Sequence, residues 1–296
     1  MSKSNLFIQG FFDSATFTIT YLVADLEAKQ AVIIDPVLDY DQNSGEVDTA
    51  SLDTVLARAK ELDLQVLWTL ETHAHADHLS GSPMIKALTG AKIGIGEHIT
   101  KVQEIFRPVF NLEDLKTDGS DFDRLLAHGD KIKIGQYDME VLFTPGHTPA
   151  DVSFKIEDNI FVGDTLFMPD YGTARTDFPG GSAEALYDSI QTLLAFPDET
   201  KLFMCHDYKA PGRDDYAWET SVKEQKNNLH IKDGVTKENF IATRNERDSG
   251  LAVPRLLLPS IQVNIRAGRF PKAEQNGVHY LMVPVKAKNS QLPLSA

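Results

Sequence analysis

THAHADH, residues 72–78, packs three imidazoles and one carboxylate into six consecutive positions. It follows QVLWTLET (65–72), whose β-branched and aromatic bias reads as a buried strand. A loop leaving a strand can turn several side chains toward one point. A first-row transition cation accepts imidazole and carboxylate together, and its charge offsets the cost of crowding such groups at a core edge. By residue usage, the four fixed positions of HxHxDH coincide by chance on the order of once per 10⁵ to 10⁶ positions.

Upstream of this loop, FTITYLVADLEAKQAVIIDP (17–36) reads as two β-runs ending on Asp35 and Pro36. TASLDTVLARAKELDL then carries apolar residues at 52, 55, 56, 59 and 62, the period of an amphipathic helix. Downstream, SPMIKALTG suggests a helix and AKIGIG a strand, while 107–125 reads as a long surface loop or a short helix. From KIKIGQYDMEVLFTPGH onward the pattern of the first half returns, with strands expected at 131–134, 137–143, 151–157 and 160–163. SAEALYDSIQTLLAF supplies a helix, KLFMCHDY a strand, and a long helix is expected from about Asp214 through Asn227. The order βαβα, given twice, predicts an α/β fold: a duplicated αββα sandwich with a C-terminal extension.

Single His or Asp residues stand at strand ends downstream of the first motif: His147 in TPGHTPAD, Asp164 in VGDTLF and His206 in MCHDY. Any one alone reads as a satisfied core or surface residue. In order after THAHADH, they read as one metal-binding set with His73, His75, Asp77 and His78.

The bulk numbers exclude other classes. With 43 acids against 29 bases, a net charge of −14 speaks against nucleic-acid binding. The single cysteine, Cys205, allows no intramolecular disulfide and suits a reducing compartment; it reads as a small buried residue closing a strand. No apolar run is long enough to span a bilayer, and MSKSNLFIQGFFDSATF lacks a signal pattern, so a cytoplasmic address without membrane attachment is expected.

THAHADH, TPGHT, GDTLF and CHDY, in this order, resemble the metal motifs of the metallo-β-lactamase superfamily over about residues 15–230. Residues 1–230 are therefore expected to form the catalytic domain, and 231–296 an appendage packed on it or on a dimer partner. GDTLF followed by ARTDF (174–178) and HDY is similar to the ETHE1-like persulfide dioxygenases. The neighbouring branch is glyoxalase II.

The dioxygenase resemblance implies one Fe(II) held by His73, His147 and Asp164, the facial arrangement of two imidazoles and a carboxylate that leaves positions open. His75, Asp77, His78 and His206 would then orient that triad by hydrogen bonds. The implied reaction is oxidation of glutathione persulfide by O₂ to sulfite and glutathione, in a homodimer. In the rival reading all seven residues hold two zinc ions that hydrolyse a glutathione thioester. A non-catalytic sensing module is a third. By the resemblance Arg175 lies near the thiol substrate and Tyr208 near glutathione. The competing structural readings are an Arg175–Asp177 ion pair and a packed tyrosine. Two departures stand out: MPDYGTA occupies the stretch before RTDF, and the C-terminal residues resemble neither a rhodanese domain nor the helical glutathione-binding domain of glyoxalase II.

Overall fold

ITYLVAD (19–25) is a strand buried at all seven positions, so both of its faces are covered and its side chains divide by alternation. Ile19, Tyr21 and Val23 join Ile132, Val141, Phe154 and Phe161 of the second half in one apolar cluster. Leu22 and Ala24 turn the other way, toward Leu52, Val55 and Ile85 of two helices. In the second half, Leu142, Ile160 and Val162 meet Leu186, Ile190 and Leu193 of another helix. The layers therefore run helix, sheet, sheet, helix, as the duplicated pattern predicts.

The computed structural model describes residues 5–285 apart from Asp233. Its first half runs β1 (Leu6–Phe12), β2 (Ile19–Asp25), β3 (Gln30–Ile34), β4 (Val37–Tyr40), β5 (Val47–Asp48), α1 (Ala50–Glu61), β6 (Gln65–Glu71), β7 (Leu79–Ser80), α2 (Ser82–Thr89), β8 (Lys92–Gly96), α3 (Ile99–Val109) and β9 (Arg124–Leu126). The rest runs β10 (Lys131–Ile134), β11 (Tyr137–Phe143), β12 (Val152–Ile156), β13 (Asn159–Phe161), α4 (Ala183–Leu194), β14 (Lys201–Phe203), β15 (Glu219–Ser221), α5 (Val222–Gln225), α6 (Lys237–Ser249) and α7 (Leu257–Asn264). The sheets are ordered β1-β2-β3-β6-β8-β9 and β10-β11-β12-β13-β14-β15, with a small sheet β5-β4-β7 beside them. Each large sheet starts as an antiparallel meander and then crosses over through a helix to a parallel neighbour: β3 to β6 through α1, and β13 to β14 through α4.

One local expectation is corrected. Residues 214–227 are not one long helix: β15 pairs with β14, and only α5 is helical. The pull is tertiary, since the Trp218 carbonyl accepts the Met204 N–H and the Trp218 ring packs into the apolar core. Within 107–125, expected as a long surface loop or a short helix, 107–109 close α3, which buries Ile99, Val102 and Phe106. LFIQGFF, the β1 strand, pairs with β2 along its whole length.

The C-terminal elements lie on this same body. Ile261 and Ile265 enter the cluster beneath α3, and Val263 enters the cluster beneath α1. Phe240 of α6 packs with Leu186 and Ile190 of α4. No described helix is long and apolar enough to cross a membrane.

Candidate metal centre

β6 ends at Glu71, and the chain turns over Asp35, which sits just past β3 with φ +49°, a left-handed conformation uncommon outside glycine. That conformation serves the loop. Asp35 Oδ1 accepts the Thr72 N–H at 2.7 Å, and Oδ2 accepts the Thr72 hydroxyl at 2.9 Å. His147 is delivered by the loop after β11, Asp164 by a single 3-10 turn (Gly163–Thr165) after β13, and His206 by the segment that follows β14. Gly146 lets α4 come close: a Cβ there would lie 2.4 Å from the Leu186 Cα.

The seven sequence-predicted ligands converge on one region. Nε2 of His73 and Nε2 of His147 lie 4.0 and 3.7 Å from Asp164 Oδ2. On the other side, His206 Nε2 lies 3.4 Å from Asp164 Oδ1 and 3.5 Å from Asp77 Oδ2. Donor atoms of His73, His147 and Asp164 form one compact group, and those of His75, Asp77 and His78 another. Asp164 thus stands between two sets of donors, one oxygen toward each.

Hydrogen bonds fix most of the imidazole tautomers. The Thr72 hydroxyl gives its proton to Asp35, so it accepts from His73 Nδ1 at 3.0 Å. His75 Nε2 donates to Asp35 Oδ1 at 3.0 Å, His147 Nδ1 to the Arg175 carbonyl at 2.8 Å and His206 Nδ1 to the Phe17 carbonyl at 3.3 Å. Each neutral ring then keeps a lone pair on its other nitrogen. Three of these, His73 Nε2, His75 Nδ1 and His206 Nε2, are buried without a hydrogen-bond partner, as are His78 Nε2 and Asp164 Oδ1. Buried polar atoms are rarely orphaned. Bound metal supplies the partner that such atoms lack, so the donor set fits metal binding.

At three of the seven residues electrostatics favour the form that binds metal. Burial, reinforced by the neighbouring imidazoles, pushes His73 and His75 well below the usual histidine range, which keeps them neutral as ligands must be. Burial works against a charged Asp77, yet His206 and His78 outweigh it and hold its carboxyl well below the usual range.

A cavity of about 380 Å³ opens onto the cluster, lined by Asp77, His147 and Asp164 at the metal side and by the rings of Phe17, Phe167, Tyr171 and Tyr208. Tyr208 stacks on His206 with centroids 5.6 Å apart and is 36% exposed, so it is both packed and open to the cavity. Arg175 also lines the cavity, but its fork is taken: Nε and Nη2 bind Asp177 at 2.5 and 2.6 Å, and Nη1 binds the Ala252 carbonyl at 2.7 Å. Cys205 is buried, 3.6 Å from Asp35.

Sequence reasoning missed the supports. Glu71, pushed up to about 7 by burial and then by Asp35, faces His75 Nε2 at 3.6 Å. Asn264 of α7 donates to the carbonyls of both His75 and His78 at 2.8 Å and accepts the Ser80 N–H. On the opposite side, Asp248 of α6 accepts the Thr176 N–H at 2.8 Å and pairs with the buried Arg244, which donates to the Thr173 carbonyl. Glu71 lies within the apolar β6, where an acid at the strand end is a readable anomaly. Nothing local marks Asn264 or Asp248.

Residues 15–206 match the family model described as the metallo-beta-lactamase superfamily. A probable metallo-hydrolase of Burkholderia pseudomallei (strain 1710b) is 48% identical over 95% of this chain and 99% of its own length. Glyoxylase B2 of Dictyostelium discoideum is 47% identical, covering 94% and 96%. The mitochondrial persulfide dioxygenase ETHE1 of Homo sapiens is 29% identical, covering 90% and 91%. Among solved structures, the crystal structure of ETHE1 from Myxococcus xanthus superposes with a TM-score of 0.71 at 33% identity, covering 89% of this chain and all of that one. The ETHE1-like resemblance read from GDTLF, RTDF and HDY is matched by these similarities.

Proposed function

The chain belongs to the metallo-β-lactamase superfamily, and from that premise we propose that it is a persulfide dioxygenase, an Fe(II) enzyme oxidising glutathione persulfide with O₂ to sulfite and glutathione. By its family and its clustered His and Asp donors it is a metal-binding enzyme of the metallo-hydrolase superfamily. The observation that supports the dioxygenase reading is that donor atoms of His73, His147 and Asp164 gather into one compact group, the two-imidazole, one-carboxylate set of non-haem iron oxygenases. His147 and Asp164 of that group line the cavity, as does Asp77, while His75, His78 and His206 are buried.

His73, His147 and Asp164 would hold the ion. Ferrous iron supplies redox chemistry with O₂ that zinc cannot. The chain's own contribution is position and exclusion. The Arg175 carbonyl orients His147, and the rings of Phe167, Tyr171 and Tyr208 form an apolar wall that keeps bulk water from the reacting sulfur. The reaction balances as GSSH + O₂ + H₂O → GSH + H₂SO₃, with the terminal sulfur oxidised and the thiol returned.

A dinuclear zinc thioesterase is the second reading. It is favoured by the orphaned nitrogens of His75, His78 and His206, by the split orientation of the Asp164 oxygens, and by the name of the 47% identical relative. Metal analysis of protein purified without oxygen separates the two. One iron per chain supports the dioxygenase; two zincs with S-lactoylglutathione hydrolysis support the thioesterase.

A further inference from the structure

MPDYGTA (168–174), the stretch that departs from the family pattern before RTDF, contains Asp170 and Tyr171. Tyr171 lines the cavity with Phe167 and Tyr208. The three rings touch one another: centroids lie 5.3 Å apart for Tyr171 and Tyr208, and 5.7 Å apart for Phe167 with each of the two. They come from separate segments, one after β13 and one after β14. From beneath, Gln225 Nε2 donates to the Phe167 carbonyl at 2.8 Å, Leu229 N–H to the Pro169 carbonyl at 2.9 Å and Asn228 Nδ2 to the Gly172 carbonyl at 2.9 Å.

Arg213 joins the two segments. Its Nη1 and Nη2 donate to Oδ2 and Oδ1 of Asp207 at 2.6 and 2.7 Å, and its Nε donates to Asp170 Oδ2 at 2.7 Å. Asp207, next to Tyr208, is buried and also accepts the N–H groups of Lys209 and Ala217. Asp170, next to Tyr171, is 43% exposed. An exposed ion pair ordinarily contributes little, because two free side chains must be ordered to form it. Here the planar guanidinium is already held by a buried carboxylate, so only the aspartate has to be ordered.

Resting on the reading that a sulfur substrate enters this cavity, we propose that Arg213 is a positioning residue: by gripping Asp170 and Asp207 together it holds the Tyr171 ring on the Tyr208 ring and fixes the width of the cavity. The face so fixed is aromatic and packs the uncharged, sulfur-bearing stem of the substrate. The clamp acts on binding and not on the metal cluster, since neither Arg213 nor Asp170 lines the cavity.

The test uses the full-length, iron-loaded chain as wild type, Asp170→Ala and Arg213→Gln. Asp170→Ala removes only the exposed half of the clamp and leaves the buried Arg213–Asp207 pair in place. Nitration by tetranitromethane, resolved by mass spectrometry, is expected to reach Tyr171 and Tyr208 several-fold faster in both variants. In oxygen uptake, KM for glutathione persulfide is expected to rise about fivefold in Asp170→Ala with kcat unchanged. Nitration that ignores Asp170→Ala would overturn the clamp, and so would a fall in kcat at constant KM. So would effects confined to Arg213→Gln with a lowered Tm, since stranding Asp207 alone produces those. Nitration does not depend on the reaction: if wild type consumes no oxygen, the dioxygenase reading fails and nitration still decides the clamp.

Discussion

The carbonyl oxygen of Arg175 accepts a hydrogen bond from Nδ1 of His147 at 2.8 Å. A carbonyl has no proton to give, so the bond leaves the Nε2 lone pair of His147 facing Asp164. The loop that makes this bond is itself held from the C-terminal side, by Asp248 at Thr176, Arg244 at Thr173 and Ala252 at Arg175. Residues well beyond 230 thus set the aim of a candidate ligand.

Asp248→Ala should strip this support. Breaking a buried ion pair typically costs about 3–5 kcal/mol, because the abandoned charge, here Arg244, stays buried. Thermal unfolding should show a clear drop in Tm, and purified protein should carry less metal. A Tm and metal content equal to wild type would contradict the clamp.

Asn264→Leu tests the other support. The substitution keeps the branching of the side chain but orphans the carbonyls of His75 and His78 and the Ser80 N–H, each costing about 1–3 kcal/mol when buried. Urea unfolding of the metal-free protein isolates the fold from the ion, and the midpoint should fall. If instead only the metal-loaded protein is destabilised, Asn264 acts on the ligands and not on the fold.

The division of labour among the histidines separates by metal titration. His147→Ala, which removes a triad member, is expected to abolish tight iron binding, whereas His206→Ala should weaken it about 10- to 100-fold, as losses of outer partners do. Equal loss in both variants would favour a shared two-metal centre.

His230 makes stability depend on pH. Burial, followed by Arg244 and Arg247, pushes it down to about 4 from the ordinary 6.5. Below pH 6.5 the unfolded chain takes up a proton that the folded chain refuses until about pH 4, so stability is full above pH 6.5 and declines across that window. Urea midpoints from pH 7 to 4 should fall more steeply for wild type than for His230→Gln, by the equivalent of at most about one proton. Parallel curves would show that His230 titrates normally.

Much of this molecule is legible in the chain. β10 and β11 fall where alternation put them, and α1 follows its helical period, because one buried face dictates each pattern. The candidate ligands are legible as a set because seven His and Asp residues stand in a set order after strands. What escapes is what depends on distant partners. Trp218 and its neighbours read as helix until β14 offers them a strand partner. Asn264 contacts residues more than 180 positions away, and no local pattern announces that. Arg175 pairs with Asp177, one of the two readings that the sequence posed for it.

The most direct measurement of the central claim is oxygen consumption by iron-loaded protein on addition of glutathione persulfide, with sulfite quantified in the same vessel. The expected result is one O₂ consumed and one sulfite formed per persulfide, lost in His147→Ala. No uptake by protein shown to contain stoichiometric iron would contradict the dioxygenase account.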